Sequence, residues 1–471
     1  METKAQNKIS NNSPQMEFFE FPPEEHDLKV RRLTEKWINK IATPDNSKAD
    51  YGTFKDSLRA PIHRWFKYPA GYSYRLIEEK IKQYKLTHQK WILDPFVGCG
   101  TTSVEAKRFG INSIGIEAHP FVYWVAQTKT NWALDLNELA AHYYQVITSA
   151  GTMIQKVDTK ELPDLVHKCY SPKNLISLFA IRNAIREKSN GNQSSRDFLN
   201  LALTDTLRNS SKAATGWPYI APNKIHEKAV EKEAFSEFDA QFRRMFNDTR
   251  FMQQHYLKQE TSCILILGDS REAHSQIQNE SIDLAVTSPP YLNNYDYADR
   301  TRLETYFFGW YKSWGEISKQ VRDQLITSAT TQIQRGRFLE NNGLSTMIKE
   351  LDSILYNELM EKVSALSELR KHKGGKKSYD CLVAGYFNDM ARVVQQVYHA
   401  LKPGSDFVLV LGDSAPYGVY IPTHDYLARI ALALGFSSGK TEELRTRGDK
   451  WRDNPQRHKV KLKEVILTLT K

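Results

Sequence analysis

Residues 91–117 read WILDPFVGCGTTSVEAKRFGINSIGIE, and this stretch decides the fold of the chain. A short apolar strand ends at Asp94, a loop with two glycines follows, and a helical pattern then runs to Gly110. A second apolar strand ends at Glu117. A strand, a tight turn, a helix and a second strand open a doubly wound sheet.

The same kind of apolar strand returns further along the chain. The later strands read CILILGDS from residue 263, IDLAVTSPP from 282, DFVLVLGDS from 406 and KEVILTLT from 463. Long, mostly helical stretches separate them, the longest at about 121–255 and 296–380. The pattern predicts an α/β fold: a Rossmann-like, doubly wound parallel sheet of about seven strands with two largely helical insertions.

Composition and charge narrow the classes of partner. The 471 residues carry a formal net charge of +10, which favours a polyanionic partner. The four cysteines form no C-x-x-C pair and no zinc spacing, so neither a metal site nor a disulfide framework is expected. The chain has no apolar run of 18 residues and starts with a polar segment. We therefore expect a cytoplasmic protein with no membrane partner.

The loop after the first strand reads Asp94-Pro-Phe-Val-Gly-Cys-Gly-Thr-Thr102. Its glycines let the backbone approach a ligand, and the helix that follows presents free N–H groups. A dinucleotide fingerprint would need a third glycine where Ser103 stands, which disfavours a nicotinamide cofactor. Asp94 suits a ligand that carries an ammonium group, as methionine-type cofactors do.

Acidic side chains follow two further strands. Glu117 could accept hydrogen bonds from both ribose hydroxyls, and Asp269 could bind an adenine amino group. Each also has a plainer interpretation, because an acid at a strand end can cap the next helix. Because the carboxyl ends of parallel strands meet at one edge, we expect both acids near Ser288 and Asp413.

Thr287-Ser-Pro-Pro-Tyr291 follows another apolar strand. Two consecutive prolines fix φ and stiffen the loop, so a polar side chain and a carbonyl are held side by side. Such a pair can accept both hydrogens of an –NH₂ group, and Tyr291 supplies a flat face for stacking. These features suit a flipped-out base; the alternative is a rigid turn at a strand end.

The pair DPFVGCGTT and TSPPY resembles the amino-methyltransferases of DNA, the N4-cytosine and N6-adenine family. The resemblance implies S-adenosylmethionine as cofactor, bound through the first motif, and catalysis at the second. Residues 63–72, HRWFKYPAGY, resemble the family element that precedes the cofactor loop. The order of the motifs excludes the circularly permuted subgroup. The implied cofactor-binding residues are Tyr68, Pro69, Asp94, Phe96, Gly98, Gly100, Thr101, Thr102, Glu117, Asp269 and Ser270.

The resemblance also implies a mechanism. The target nucleotide rotates out of the duplex, Ser288 and the Pro289 carbonyl bind its amino group, and Pro290 stiffens the loop while Tyr291 stacks on the base. Methylation at cytosine C5 would need a cysteine beside a proline, which this chain lacks. Serine before Pro-Pro-Tyr favours cytosine N4 over adenine N6. An RNA or protein methyltransferase, and a non-catalytic DNA-binding protein, are the alternatives.

Double-stranded DNA is the expected partner, with a cognate restriction endonuclease or another defence protein as a second. The predicted DNA-contacting residues are Tyr295, Arg300, Lys373, Lys376, Lys377 and Arg447, although each also fits an ordinary polar surface. The predicted division is an N-terminal arm and helix at 1–50, a cofactor-binding part at 51–120, a helical insertion at 121–260, a catalytic part at 261–300, a second insertion at 301–380 and a C-terminal part at 381–471. Target recognition is assigned first to 121–260 and second to 301–380.

Overall fold

A computed structural model describes residues 48–68, 71–189, 191–214, 219–225, 231–256, 261–340, 343–447 and 460–471. The predicted N-terminal arm and its helix lie outside the described residues, apart from a single 3-10 turn at Lys48–Asp50. None of the helices in those ranges combines the length and the apolar character that are needed to cross a bilayer.

A seven-stranded sheet forms the centre of the molecule, in the order β5-β2-β1-β6-β7-β9-β8. Its strands are β1 (Trp91–Asp94), β2 (Asn112–Glu117), β5 (Cys263–Leu267), β6 (Ile282–Thr287), β7 (Leu401–Gly412), β8 (Ser438–Arg447) and β9 (Leu462–Thr470). A separate pair, β3 (Ala213–Ala214) and β4 (Ala221–Ile225), lies in the first insertion. The predicted Rossmann-like α/β sheet of about seven strands is confirmed.

Two features of the sheet differ from the sequence prediction. The last strand, β9, lies antiparallel to both β7 and β8, so the sheet is mixed rather than fully parallel. The edge strand β8 has an exposed, charged sequence, SGKTEELRTR, and no apolar run marks it as a strand. It pairs along one side only, which is why it can remain polar.

The α-helices occupy both faces of the sheet and the two insertions. In the described part of the chain they are α1 (Tyr74–Gln83), α2 (Thr101–Arg108), α3 (Pro120–Thr130), α4 (Leu136–Met153), α5 (Asp164–Cys169), α6 (Pro172–Lys188), α7 (Gln193–Asn209), α8 (Ala234–Tyr256), α9 (Tyr297–Arg300), α10 (Arg302–Phe307), α11 (Trp314–Gln320), α12 (Arg335–Glu340), α13 (Thr346–Leu351), α14 (Ser353–His372), α15 (Tyr379–Ala400) and α16 (Thr423–Leu434).

The apolar residues of the central strands alternate between two hydrophobic clusters. Leu284 and Val286 of β6 pack with the apolar side of α1, whereas Ala285 packs in the cluster that contains α15. In β7, Val408 and Val410 follow the first pattern, and Phe407, Leu409 and Leu411 follow the second. Successive side chains of a strand point to opposite faces, and helices cover both faces here. The continuous apolar runs of the sequence therefore reflect burial on two sides.

The strand order reverses at β1. From β1 the chain moves outward to β2 and β5, and then returns to place β6 on the other side of β1. Ligands of doubly wound sheets bind at such a switch point, outside the carboxyl ends of the strands. The parallel register aligns Asp94 with Gly115, so the loops after β1, β2, β5 and β6 open on one edge.

Buried ionic contacts tie the two insertions to the sheet domain and to each other. The Asp248 carboxylate of α8 accepts hydrogen bonds from the backbone of Ile62 and from the side chains of Arg64 and Trp65. Arg208 of α7 pairs with Glu304 of α10, with 2.5 Å between Nε and Oε1. These contacts fix the insertions around the open edge of the sheet.

Candidate active site

The loop between β1 and α2 depends on two glycines in the left-handed region. Gly98 has φ 53° and Gly100 has φ 90°, conformations that other residues adopt at a cost. A Cβ at Gly98 would lie 3.3 Å from Cε1 of Tyr68, so a side chain there would also crowd that ring. The turn thus brings the backbone close to Tyr68 and aims the N-terminus of α2 at the open edge of the sheet.

Asp94 holds this loop together from below. Its side chain is fully buried; Oδ1 accepts from the Thr287 hydroxyl at 2.7 Å and from Phe96 N at 3.0 Å. Oδ2 accepts from the hydroxyls of Tyr72 and Thr102. Within the described residues Asp94 lines neither of the two cavities described below, and its contacts are internal. The carboxylate thus organises β1, α2 and β6, and its assignment to the ammonium group stays a prediction.

A first cavity, with an empty volume of about 770 Å³, opens beside this loop. The predicted cofactor residues Gly100 and Thr102 do not line it within the described ranges, and Pro69 lies outside those ranges. The predicted residues that do line it are Tyr68, Phe96, Gly98, Thr101, Glu117, Asp269, Ser270, Ser288 and Pro290.

Glu117 contributes the acid at the end of β2. Desolvation raises the pKa of its carboxyl group to about 7, against the opposing effect of hydrogen bonds from the backbone N–H groups of His119 and Gly98. The His119 N–H donates to Oε1 at 2.8 Å. Near neutral pH this carboxyl group therefore changes between its protonated and ionised forms at the wall of the first cavity.

Asp269 and Ser270, which follow β5, also line the first cavity. Arg271 donates to the Asp269 carboxylate through Nε and Nη2 and also pairs with Asp389 of α15 at 2.8 Å. Although burial raises the pKa of Asp269, Arg271 holds it below its usual value. The Ser270 hydroxyl donates to the Pro95 carbonyl. Both residues thus contribute to the wall and also fix neighbouring loops.

A second cavity, with an empty volume of about 940 Å³, lies on the other side of the loop that follows β6. Among the described residues the two cavities share Ser288 and Tyr297. Pro290 faces the first cavity, whereas Pro289 and Tyr291 face the second. The Ser-Pro-Pro-Tyr loop is therefore a thin wall between the two cavities.

The side chains around Tyr291 come from distant parts of the chain. The buried Tyr291 hydroxyl donates to Oε1 of Glu464 at 3.1 Å, and the Arg447 guanidinium lies 4.9 Å from the ring centroid. The guanidinium lies over one face of this ring, and Arg447 also lines the second cavity. The second cavity also includes Arg445, which lies two positions before the predicted Arg447 and belongs to the same basic stretch. It further includes four residues to which no DNA-binding role was assigned from the sequence: Gly52, Lys55, Lys67 and Glu464.

The remaining predicted DNA contacts separate into three groups. Tyr295 is buried and lines the second cavity. Lys373, Lys376 and Lys377 lie exposed after α14, and they line neither cavity in the described structure. Arg300 is 3% exposed and donates to the carbonyl of Lys67 and to Glu304. Burial lowers the pKa of Arg300 to about 10. The prediction for Arg300 is wrong, because its guanidinium binds inside the protein.

The second insertion contributes to the first cavity, whereas the first insertion does not. Gln324, Leu325 and Ile326 line that cavity, and Arg322 next to them pairs with Asp296 at 2.5 Å. Within the described ranges, residues 121–256 line neither cavity. Of the two insertions, 301–380 therefore lies directly against the site.

Comparisons with known proteins find similarity to DNA methyltransferases. Residues 2–129 match the N6/N4 methyltransferase family described as DNA methylase. Type II methyltransferase M.BsoBI of Geobacillus stearothermophilus is 24% identical over 95% of this chain and 92% of its own length. M.AvaI of Nostoc sp. is 23% identical over 88% and 87% of the two chains, and M.MvaI of Kocuria varians is 22% identical over 82% and 84%.

Proposed function

The chain belongs to the DNA amino-methyltransferase family, and from this premise we propose that it transfers a methyl group from S-adenosylmethionine to the N4 amino group of cytosine in DNA. The observation that carries the proposal is the wall formed by Ser288, Pro289 and Pro290, because it separates two cavities that meet at Ser288. A donor on one side and an acceptor on the other could react there without a covalent enzyme intermediate.

The residues of the first cavity fit S-adenosylmethionine, which supplies an electrophilic methyl group when it is bound. Glu117 offers a carboxylate for the ribose hydroxyls, and Asp269 offers an acceptor for the adenine amino group. Gly98 leaves the space beside Tyr68 that a Cβ would narrow. The two carboxylates and the space beside Tyr68 thus match a nucleoside with a polar tail.

The residues of the second cavity fit a flipped base presented through its amino group. The Ser288 hydroxyl and the Pro289 carbonyl accept the amino hydrogens, which orients the nitrogen lone pair toward the first cavity. Tyr291 stacks on the base. Lys55, Lys67 and Arg445 add positive charge around this cavity, which favours the phosphates of the extruded nucleotide.

Serine at position 288 supports cytosine N4 over adenine N6, which is the second candidate. The test is to incubate the protein with duplex DNA and S-adenosylmethionine that carries a labelled methyl group, and to identify the methylated nucleoside by mass spectrometry. We expect N4-methylcytosine. N6-methyladenine would overturn the base assignment alone, and absence of any labelled base would overturn the proposed function.

A double substitution, Ser288→Ala with Tyr291→Ala, tests the site within the same assay. We expect it to abolish methyl transfer while calorimetry still detects binding of the cofactor, because Tyr291 faces the second cavity only and Ser288, which the two cavities share, loses only a hydroxyl group. Unchanged transfer by the double variant would contradict the assignment of the loop.

We also propose a biological setting and a division of the chain. The curated relatives are named type II methyltransferases, which supports a role in restriction–modification, in the cytoplasm and beside a cognate endonuclease. The sheet parts at 51–120, 261–300 and 381–471 carry the chemistry, and the insertions at 121–260 and 301–380 carry recognition of DNA. Protection of plasmid DNA from one endonuclease, after expression of the protein, tests the pairing.

A further inference from the structure

We propose that Glu464 is a positioning residue for methyl transfer, acting through the hydroxyl group of Tyr291. Its buried carboxylate fixes the plane of the ring on which the target base stacks. The inference deepens the proposed function of the second cavity and rests on it.

Glu464 lies in β9, in a row of residues that crosses three strands. Its sheet neighbours are Gly412 of β7 and Arg445 of β8. The residue is 1% exposed, yet it lines the second cavity. A carboxylate beside a DNA-binding cavity repels phosphates, so its presence in the wall calls for a role other than binding the nucleic-acid backbone.

The two oxygens of Glu464 have different partners. Oε1 accepts the hydroxyl of Tyr291 at 3.1 Å, and Oε2 accepts Nε of Arg445 at 2.5 Å. The arginine neutralises the buried charge and orients the carboxylate. The other end of the carboxylate is thereby directed at Tyr291.

Gly52 removes the remaining freedom of the carboxylate. A Cβ on Gly52 would lie 2.5 Å from both Cδ and Oε2 of Glu464, and 2.8 Å from Oε1. The backbone of the segment before α1 therefore packs directly on the acid. With Arg445 on one side and Gly52 on another, Glu464 cannot move without disturbing its bond to Tyr291.

The expected consequence is a defect in the chemical step. A base that stacks on Tyr291 takes its tilt from the ring, and Ser288 lies three residues earlier on the same loop. A ring that is free to tilt would misplace the amino nitrogen relative to the methyl group, and small misplacements are costly in rate. DNA affinity, which rests mainly on phosphate contacts, should change little.

The first experiment compares E464A, E464Q and the wild-type protein in steady-state methylation of duplex DNA. We expect E464A to lower kcat by about 10- to 100-fold, the loss typical of one hydrogen bond to a charged group, and to change KM for DNA by less than about threefold. E464Q should retain most of the wild-type kcat, because its amide oxygen still accepts from Tyr291. Equal losses in E464A and E464Q would indicate a role through Arg445 and overturn the proposal.

A double-substitution cycle with Tyr291 separates positioning from stability. If Glu464 acts through the Tyr291 hydroxyl, E464A should cause no further loss of kcat in a Y291F background. Losses that multiply in the double variant would overturn the proposal. Thermal unfolding of each variant checks that a fall in kcat does not come from unfolding.

Gly52→Ala provides an independent perturbation that leaves every polar group in place. The added methyl group must displace the carboxylate, which should disturb its bond to Tyr291, so G52A should lower kcat in the wild-type background. In an E464A background the clash is absent, and G52A should have no further effect. An unimpaired G52A together with an unimpaired E464A would overturn the role of Glu464, whereas a wild-type protein that transfers no methyl group would overturn the proposed function.

Discussion

The carboxyl group of Glu117 is buried at the wall of the first cavity. Desolvation raises the pKa of its carboxyl group to about 7, so the group is only partly ionised at neutral pH. To accept hydrogen bonds from two ribose hydroxyls it must be in the ionised form. Binding of the cofactor should therefore be coupled to release of a proton.

We predict that cofactor affinity falls as the pH is lowered from 8 to 6. Below a pKa of about 7 the protonated fraction of Glu117 grows, which weakens binding by up to about tenfold per pH unit. Burial lowers the pKa of His119 to about 4, so that residue does not titrate in this range. Isothermal titration calorimetry at several pH values measures the effect. The pH dependence of the affinity that comes from Glu117 should vanish in E117Q. Identical pH profiles for the wild-type protein and E117Q would contradict the prediction.

We predict that Gly98→Ala weakens cofactor binding by about 1 kcal/mol or more, or at least fivefold. The left-handed φ of 53° disfavours alanine, and the new methyl group would crowd Tyr68 at 3.3 Å. The matched control is Gly404→Ala, since Gly404 has φ 77° but has no neighbour in contact with an added Cβ. Equal cofactor affinities for the two variants, at comparable thermal stability, would contradict a role for Gly98 in the site.

At the scale of elements, the contact between α7 and α10 joins the two insertions. Glu304 is fully buried and accepts from both Arg208 and Arg300. Although burial raises the pKa of Glu304, these two arginines hold it below its usual value. The pair fixes the start of the second insertion, whose later residues 324–326 line the first cavity. This contact therefore links the packing of the insertions to the shape of the first cavity.

We predict that Glu304→Gln lowers the free energy of unfolding by about 3 kcal/mol or more, because two buried guanidinium groups lose their counter-charge. Thermal and denaturant unfolding should show a lower midpoint. Lys371→Ala is the control, since its ion pair with Glu368 is largely exposed and should be worth less than about 1 kcal/mol. A midpoint for E304Q equal to that of the control would count against a structural role for this contact.

For the whole molecule, the net charge of +10 favours binding to DNA. Solvent-exposed lysines are the residues that can contact its phosphates. The loop after α14 carries Lys373, Lys376 and Lys377, all exposed, and it lies near the end of the insertion that borders the first cavity. The first insertion also carries exposed lysines, but its described residues line neither cavity. Measuring DNA binding by variants that lack these lysines can therefore show which insertion contacts the phosphates.

We predict that replacing Lys373, Lys376 and Lys377 by alanine reduces the salt dependence of DNA binding. Each lost phosphate contact lowers the slope of log K against log salt concentration by about 0.9, so three contacts lower it by about 2.7. Fluorescence anisotropy at salt concentrations from about 50 to about 200 mM measures the slope. The control replaces Lys156, Lys160 and Lys168 in the first insertion. A larger change in that control would assign the phosphate contacts to 121–260 instead.

Local patterns in the sequence were sufficient for the core of the fold. The strand–glycine turn–helix at 91–108 and the stiff loop at 287–291 are specified by neighbouring residues, through apolar runs, glycine conformation and the fixed φ of proline. The strand ends then had to meet at one edge, because parallel strands leave no other arrangement. Strand β8 was not predicted, because a strand at the exposed edge of the sheet needs no apolar pattern.

The sequence by itself determined the α/β sheet, the glycine turn and the Ser-Pro-Pro-Tyr loop, because short-range sterics and hydrophobic periodicity encode them. Only the tertiary structure decided that Asp94 lies under the loop, that Arg300 is buried, and that Glu464 meets Tyr291. Each of these depends on packing between residues far apart in the chain, 173 positions apart for Glu464 and Tyr291. The sequence shows that a residue is charged, but not whether its side chain lines a cavity, forms an ion pair or faces solvent. Its tertiary surroundings decide between these possibilities.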